Sequence, residues 1–393
     1  MEPCLFVITT AAGNPILLVA HVDDIETVGP CMDELRLVRN LHDQRFGVKD
    51  VDSNEMLGVR RIISDDRRYV VISMPGFIQL MYHKFKAHCS NRQRNIPWPK
   101  DLMLSRVDDQ EEVNKKVLAR GYRSLLGMLM WVNRMAMVEL GAGTNQLSKM
   151  ACAPTEAAWD AAVWQLEYCY QHRDAGFRFD RDGNRVPVAY YDSAGKEDPK
   201  TSKCQHGHVV FMGDGPLICK SRQHKHPGSG TMSLEYMALC AVTKDVVYLR
   251  AILGDVMMVV KMLMLPLEPT AVYGDNERTC DFATASKMTP NMKHVRTCYH
   301  LSRDFWETGD IEPRWVAGKD NPSDILTKGV AREVITAQLG RLTGYSDQPL
   351  AVLPVEARSA RPGSGGNLNV LMEQVLMEYA WTNDNGTWSR RRQ

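Results

Sequence analysis

From about residue 176 the hydrophobic pattern stops following a helical spacing and becomes period two, then switches between the two spacings toward residue 340. "RVPVAYYD", "GHVVFM" and "PLICKSRQ" read as three strands in succession, the last two joined through "GDG", a tight-turn signal. A helix from about Thr231 to Leu253 follows, then a strand "TAVYGDN" and a short helix at "ERTCDFATAS". Another helix, "KHVRTCYHLSRDFWE", leads to a strand "DIEPRWV" and a last helix starting at "NPSDILTK". The order βββ-α-β-α-α-β-α predicts an α/β fold, a mixed sheet with flanking helices.

Four acids fall at the ends of these elements. Asp192 closes the first strand, Glu235 lies in the first turns of the long helix, Asp275 closes "TAVYGD" and Asp324 opens the final helix. Each has an ordinary structural use by itself. Asp324 and Glu235 suit a helix dipole near its start, and Asp275-Asn276 and Asp192-Ser193 suit turns. Carboxylates that converge from separate elements can instead hold two Mg²⁺ ions about 3.5–4 Å apart, the arrangement used for phosphodiester cleavage. Mg²⁺ prefers such hard oxygen ligands. The four together, on this element order, favour the metal.

The first half reads differently. "ILLVAHVDDIETVG" is a strand, an Asp-Asp turn and a strand; "EMLGVRRII" and "RYVVIS" form a second hairpin around "SDDRR". "PGFIQLMYHKFKAHC", "GYRSLLGMLMWVNRMA" and "PTEAAWDAAVWQLEYCYQH" are helical, the last with Trp159, Val163, Leu166 and Tyr170 on one stripe. Residues 91–109 form a connection rich in Pro and charge. The tail from about residue 347 reads as flexible, apart from a helical pattern at "LNVLMEQVLMEYAW".

Formal net charge is +1, so no global field draws the chain to nucleic acid, and any such contact must come from local patches. Ten scattered cysteines without a C-x-x-C pair argue for a reducing compartment and against a disulfide framework or zinc ribbon. "MEPCLFVITT" has no basic start, and the apolar residues 251–267 are short and interrupted by Asp255 and Lys261. The expectation is a soluble intracellular protein, cytoplasmic or nuclear, neither secreted nor membrane-spanning.

The strings "YRSLLGMLMWVNRMA", "APTEAAWDAAVWQLEYCYQ", "GHVVFMGDGPLICKSRQHKH", "SLEYMALCAVTKDVVYLRAIL", "VYGDNERTC", "KHVRTCYHLSRDF" and "NPSDILTK" occur in the order found in copia-type retrotransposon Pol polyproteins. "EPCLFV", "LLVAHVDDI" and "MLGVRRII" resemble the palm of the same family's reverse transcriptase. The resemblance covers about residues 2–345. It implies a partial palm over 1–90, a helical thumb and connection over 91–175, a ribonuclease H domain over 176–346 and a tail over 347–393. The implied reaction is Mg²⁺-dependent hydrolysis, with two ions and Mn²⁺ as a substitute, of RNA in RNA–DNA hybrids. Selectivity would rest on the 2′-hydroxyl and hybrid shape. The family's four metal carboxylates fall on Asp192 in "YYDSA", Glu235 in "SLEYMAL", Asp275 in "YGDN" and Asp324 in "SDILTK". No small-molecule cofactor or membrane is implied; other Pol-derived chains are implied partners. The sequence departs from the family where "SKCQHGH" replaces a small, hydroxyl-rich run, and where "HPGSGTM" precedes Glu235.

"AHVDDI" resembles the polymerase hairpin, so Asp23 and Asp24 would be a residual metal pair. Only 22 residues precede Asp23, and polymerase activity is expected to be lost for want of fingers and an upstream carboxylate. Two other readings stay open: an inactive nucleic-acid-binding remnant, and part of a complete RNA-directed DNA polymerase.

Further candidates are weaker. Lys220, Arg222 and Lys225 in "KSRQHKH" could meet phosphates or be solvated. His294 matches a recurrent family position and reads as structural or hybrid-facing. Trp306 and Trp315 suit core packing better than base stacking. Cys204, His206 and His208 would share one strand side, which suits zinc, but no fourth ligand is evident. "GAGTNQ" lacks the spacing of a nucleotide loop.

Overall fold

The computed structural model describes residues 4–47, 55–90, 92–100, 102–107, 110–195, 198, 200–259, 268–285, 295, 299–345, 380–384 and 387–391. The chain divides into two compact units: Met1–Met56, Val247–Glu268 and Leu353–Gln393 form one, Leu57–Val246 and Pro269–Val352 the other.

In the first unit, β1 (Leu5–Thr9), β2 (Pro15–His21) and β3 (Asp24–Val28) form an antiparallel meander, and α1 (Met32–Phe46) covers one face. Alternation explains the packing: Ile16 and Leu18 point to one side of β2 and are buried with Leu35 and Val38 of the helix. β4 (Glu55–Met56) also belongs to this unit.

The second unit begins with a hairpin of β5 (Val59–Ile63) and β6 (Tyr69–Ser73), then five helices: α2 (Pro75–Phe85), α3 (Glu111–Ala119), α4 (Tyr122–Met135), α5 (Gly141–Lys149) and α6 (Glu156–Gln171). Pro75 starts α2, where its missing N–H costs nothing. α6 is capped by Thr155, whose hydroxyl accepts the Ala158 N–H at 3.2 Å, and Trp159, Val163 and Leu166 on its stripe enter the helical core. β7 (Gly176–Asp180), a strand not foreseen from the sequence, pairs antiparallel with β6.

Three strands in succession follow: β8 (Val188–Ser193), β9 (Gln205–Met212) and β10 (Gly215–Gln223), all antiparallel to their neighbours. Gly213 and Asp214 both have positive φ, 62° and 60°, the two-residue turn that matches strand twist. After α7 (Thr231–Val259), β11 (Thr270–Gly274) adds parallel to β8. β12 (Ile311–Trp315) adds parallel to β11 after α8 (Glu277–Thr284) and α9 (Leu301–Glu307). The sheet order is β10-β9-β8-β11-β12, a mixed sheet with flanking helices as expected. Val188, Tyr190, Val209, Phe211 and Tyr273 fill its core with Ile325, Leu326, Ile335 and Leu342.

The end of the chain differs from expectation. "NPSDILTK" is not the start of one helix but a 3-10 turn, Pro322–Leu326, and α10 (Arg332–Thr343) comes later. Asn321 does cap the turn as its sequence suggests, accepting the Ser323 N–H at 3.1 Å. Helix cannot continue because the Leu326 carbonyl is taken by the Ser221 hydroxyl at 2.7 Å and the Gln205 amide at 3.1 Å. Most of the helix expected over residues 368–381 lies outside the described residues, and Ala380 and Trp381 belong instead to β13 (Ala380–Asp384), paired with β14 (Thr387–Arg391). Among the described residues no helix is long and apolar enough to cross a membrane.

Gly207 of β9 packs directly under that turn: a Cβ there would collide with the Leu326 side chain and lie 3.2 Å from its carbonyl carbon. Gly207→Ala is therefore expected to destabilise the protein by roughly 1–3 kcal/mol. Gly127→Ala, in α4 with open space around it, should stabilise by up to about 1 kcal/mol. Urea unfolding of the two variants checks the pair.

Candidate metal centre

β8 is the central strand, and all six of its residues are buried. Its register sets the site: Asp192 lies opposite Gly207 of β9, and β11 runs parallel with Tyr273 beside Tyr190. Asp275, the residue after β11, therefore reaches the level of Asp192. Gly274 is required there, since a Cβ would overlap the Tyr191 ring. Glu235 comes from the second turn of α7. Each of Asp192, Glu235 and Asp275 offers one carboxylate oxygen within 4.8 Å of the others.

Three acids this close disfavour one another's charge. Burial, at 5% exposure, and then the Asp324 and Asp275 charges push Asp192 up to about 6, although Thr327 and Lys328 pull the other way. Burial and then Asp192 and Asp275 push Glu235, 2% exposed, up to about 9. Asp275, at the open side of the cluster, is also raised, first by burial and then by Asp324. Asp324 does not join the three-oxygen cluster; it pairs with Lys328 at 2.6 Å while its charge acts on Asp192 and Asp275. The sequence motif thus supplies a fourth acid at the rim with its own counter-ion.

Sequence reasoning missed the residues that aim these carboxylates. Thr327 donates its hydroxyl to Asp192 Oδ2 at 2.7 Å, and the Ser193 N–H donates to Glu235 Oε1 at 3.2 Å. Thr327 and Lys328 stand inside the "SDILTK" string, so their signal was present; Ser193 had none beyond adjacency to Asp192. Glu235 Oε2 is buried without a hydrogen-bond partner. An orphaned carboxylate oxygen facing two more acids is costly unless a cation completes it. The donor set is all oxygen, and the residues fit Mg²⁺.

The other candidates are placed as follows. Lys220 is not open to phosphate: its Nζ lies 2.6 Å from Asp245 Oδ1, while His208 Nε2 lies 2.6 Å from Asp245 Oδ2. Burial acts against the Asp245 charge, yet these two partners hold it down to about 2. Arg222 and Lys225 are exposed, and His294 lies outside the described residues. Trp315 is half exposed rather than in the core, because it ends β12 beside the site, where its indole N–H donates to the Asp275 carbonyl at 3.1 Å. Trp306 is half-buried.

Cys204, His206 and His208 do not assemble a zinc set: among the described residues the carboxylate cluster is the one group with metal-ligand geometry. His206 instead stacks on His224, ring centroids 4.5 Å apart. Asp23 and Asp24 are exposed at the tip of the β2–β3 hairpin, and among the described residues no third carboxylate joins them. Val22 there has φ 54°, a strained value for a β-branched residue.

No protein-family model matches the chain. It is 22% identical over 336 residues to the retrovirus-related Pol polyprotein from transposon TNT 1-94 of Nicotiana tabacum, covering 84% of this chain and 24% of that protein. It is 24% identical over 323 residues to the retrovirus-related Pol polyprotein from transposon RE2 of Arabidopsis thaliana, covering 81% and 21%. The chain therefore spans about a quarter or less of the length of these relatives. A solved structure, ribonuclease H1 from the halophilic archaeon Halobacterium salinarum, aligns with TM-score 0.27 and 18% identity over 36% of this chain and 92% of that one. Over most of its length, this chain's homologues are retrovirus-related Pol polyproteins of plant transposons.

Proposed function

We propose that this chain is the ribonuclease H-bearing part of a copia-type Pol polyprotein, and that it hydrolyses RNA in RNA–DNA hybrids with Mg²⁺. The observation that carries the reading is the convergence of Asp192, Glu235 and Asp275 from three elements, with Glu235 Oε2 left unpartnered. Asp192, Glu235 and Asp275 would hold the metal, which when bound supplies Lewis acidity and a water of lowered pKa, with Asp324 at the rim paired to Lys328.

The chain's own residues prepare that site. Thr327 fixes one oxygen of Asp192 and leaves the other for ligation, and the Ser193 amide does the same for Glu235. Cation binding must displace the protons that burial favours on Asp192 and Glu235. Lys328, half exposed and beside Asp324, supplies the nearby positive charge. Arg222 and Lys225 are read as phosphate contacts on the hybrid. In this reading residues 176–346 form the ribonuclease H domain, 91–175 the thumb and connection, and 1–90 part of the palm. Asp23 and Asp24 are then a vestigial polymerase pair, and other Pol-derived chains are the natural partners.

The test uses the full chain, a 5′-labelled RNA–DNA hybrid and Mg²⁺. Cleavage of the RNA strand that stops on adding EDTA supports the proposal. Binding without cleavage would mean a remnant, and cleavage of single-stranded RNA alone would mean a different nuclease.

A further inference from the structure

Residues 204–208, the "CQHGH" end of "SKCQHGH", and the residue His224 are buried together next to β8. Ser193, His206 and His224 are all more than nine-tenths buried. His224 is anchored at the end of the β9–β10 ladder by its own N–H, which donates to the Cys204 carbonyl at 2.9 Å. Its ring lies on that of His206, and His206 is the ladder partner of Ser193. Its Nε2 meets the Ser193 hydroxyl at 2.9 Å, a contact that this serine rotamer makes. The backbone N–H of that same serine donates to Glu235 Oε1.

We infer that His224 is a positioning residue for Glu235: held by His206 and the Cys204 carbonyl, it locks Ser193 so that its amide fixes one carboxylate oxygen and leaves the other for a ligand. The inference rests on the reading of Glu235 as a metal ligand. It gives a role to imidazoles that neither bind metal nor face solvent. Asp245 and Lys220, which engage His208, do not reach Ser193 by any hydrogen bond among the described residues. His224 is therefore the side chain that engages the Ser193 hydroxyl, while the β8–β9 ladder holds the backbone beside it.

The alternative is that His224 merely fills space. The two are separated by amide hydrogen exchange in the full-length, metal-free protein, comparing Ser193 with Tyr191 two residues before it. In His224→Leu, which keeps the apolar bulk, the Ser193 amide should exchange about tenfold faster relative to Tyr191, the scale of one lost hydrogen bond. His224→Gln, whose amide can reach the hydroxyl, should restore the wild-type ratio. Should His224→Leu not fold, Ser193→Ala removes the same hydroxyl contact and should give the same acceleration. An unchanged ratio in these variants, or no rescue by glutamine, overturns the inference. Mg²⁺ titration of hybrid cleavage adds a second reading: half-activation should need about tenfold more Mg²⁺ in His224→Leu and return to normal in His224→Gln. A wild-type chain that fails to cleave would sink the ribonuclease proposal, while the exchange ratio would still decide the role of His224.

Discussion

Asp192→Asn and Asp275→Asn should each abolish hydrolysis of the RNA strand while leaving hybrid binding close to wild type. Asparagine keeps the shape of aspartate, and its carbonyl can still accept the Thr327 hydroxyl that holds Asp192. What goes is the charge and one hard ligand. Metal-centred charge stabilisation is worth several kcal/mol, so loss of one ligand is expected to cost at least about a thousandfold in cleavage rate. Binding should move by less than about threefold, because the proposed phosphate contacts, Arg222 and Lys225, lie outside the carboxylate cluster. Single-turnover cleavage and fluorescence anisotropy with the same labelled hybrid separate the two quantities. Both variants cleaving at the wild-type rate would refute the metal-centre assignment.

A second large effect concerns stability and has a definite sign. Glu235 and Asp192 ionise in the folded, metal-free protein at about 9 and about 6, above their ordinary values of 4.5 and 3.8. The unfolded chain gives up these protons first, so it binds fewer of them across the interval and folding weakens as pH rises. The buried imidazoles act oppositely. His224 is held by burial at about 4, below its ordinary 6.5, so its contribution is present above 6.5 and lost as pH falls toward 4. Below pH 6.5 the acid and imidazole slopes oppose each other, and buried Glu139, raised to about 7, adds to the loss of stability up to that value; from about 7 to about 9 the Glu235 slope is the one these groups leave. Metal-free protein should therefore lose roughly 2–3 kcal/mol of stability over that window. Glu235→Gln should flatten the slope and melt several degrees higher at pH 8.5, while Mg²⁺ should rescue the wild type and not the variant. Calorimetry at a series of pH values, with and without EDTA, reads all three.

How much of this was visible in the residues depends on the range of the interaction. The turn at "GDG" was legible because Gly213 and Asp214 tolerate positive φ locally, and α6 because Thr155 and the Trp159–Val163–Leu166 stripe are near neighbours in sequence. The four acids could be singled out because each ends an element. The convergence of Asp192, Glu235 and Asp275 could not be read, since it depends on β8–β11 register and on where α7 lies in the fold. The 3-10 turn was misread as a helix for the same reason. Its local signals, Asn321 and Pro322, do favour a helix start, but the Leu326 carbonyl is captured by Ser221 and Gln205, more than a hundred residues earlier. β7 was overlooked because its partner strand, β6, lies on the far side of five helices in the sequence. Trp315 was assigned to the core by its size alone, and a strand end leaves it half exposed.

Gln205 joins more than its own strand. It accepts from Gln146 of α5 at 3.1 Å, donates to Ser221 at 2.7 Å, and holds the turn that carries Thr327. One side chain thereby ties a helix before residue 176 to the loop that orients Asp192. Excising residues 176–346 as a free-standing nuclease would strand Gln205 without its helical neighbour and strip β7 of β6. A protease cut near residue 174 should accordingly leave the two pieces associated, and an expression clone that omits the upstream helices should yield inclusion bodies, not a minimal enzyme.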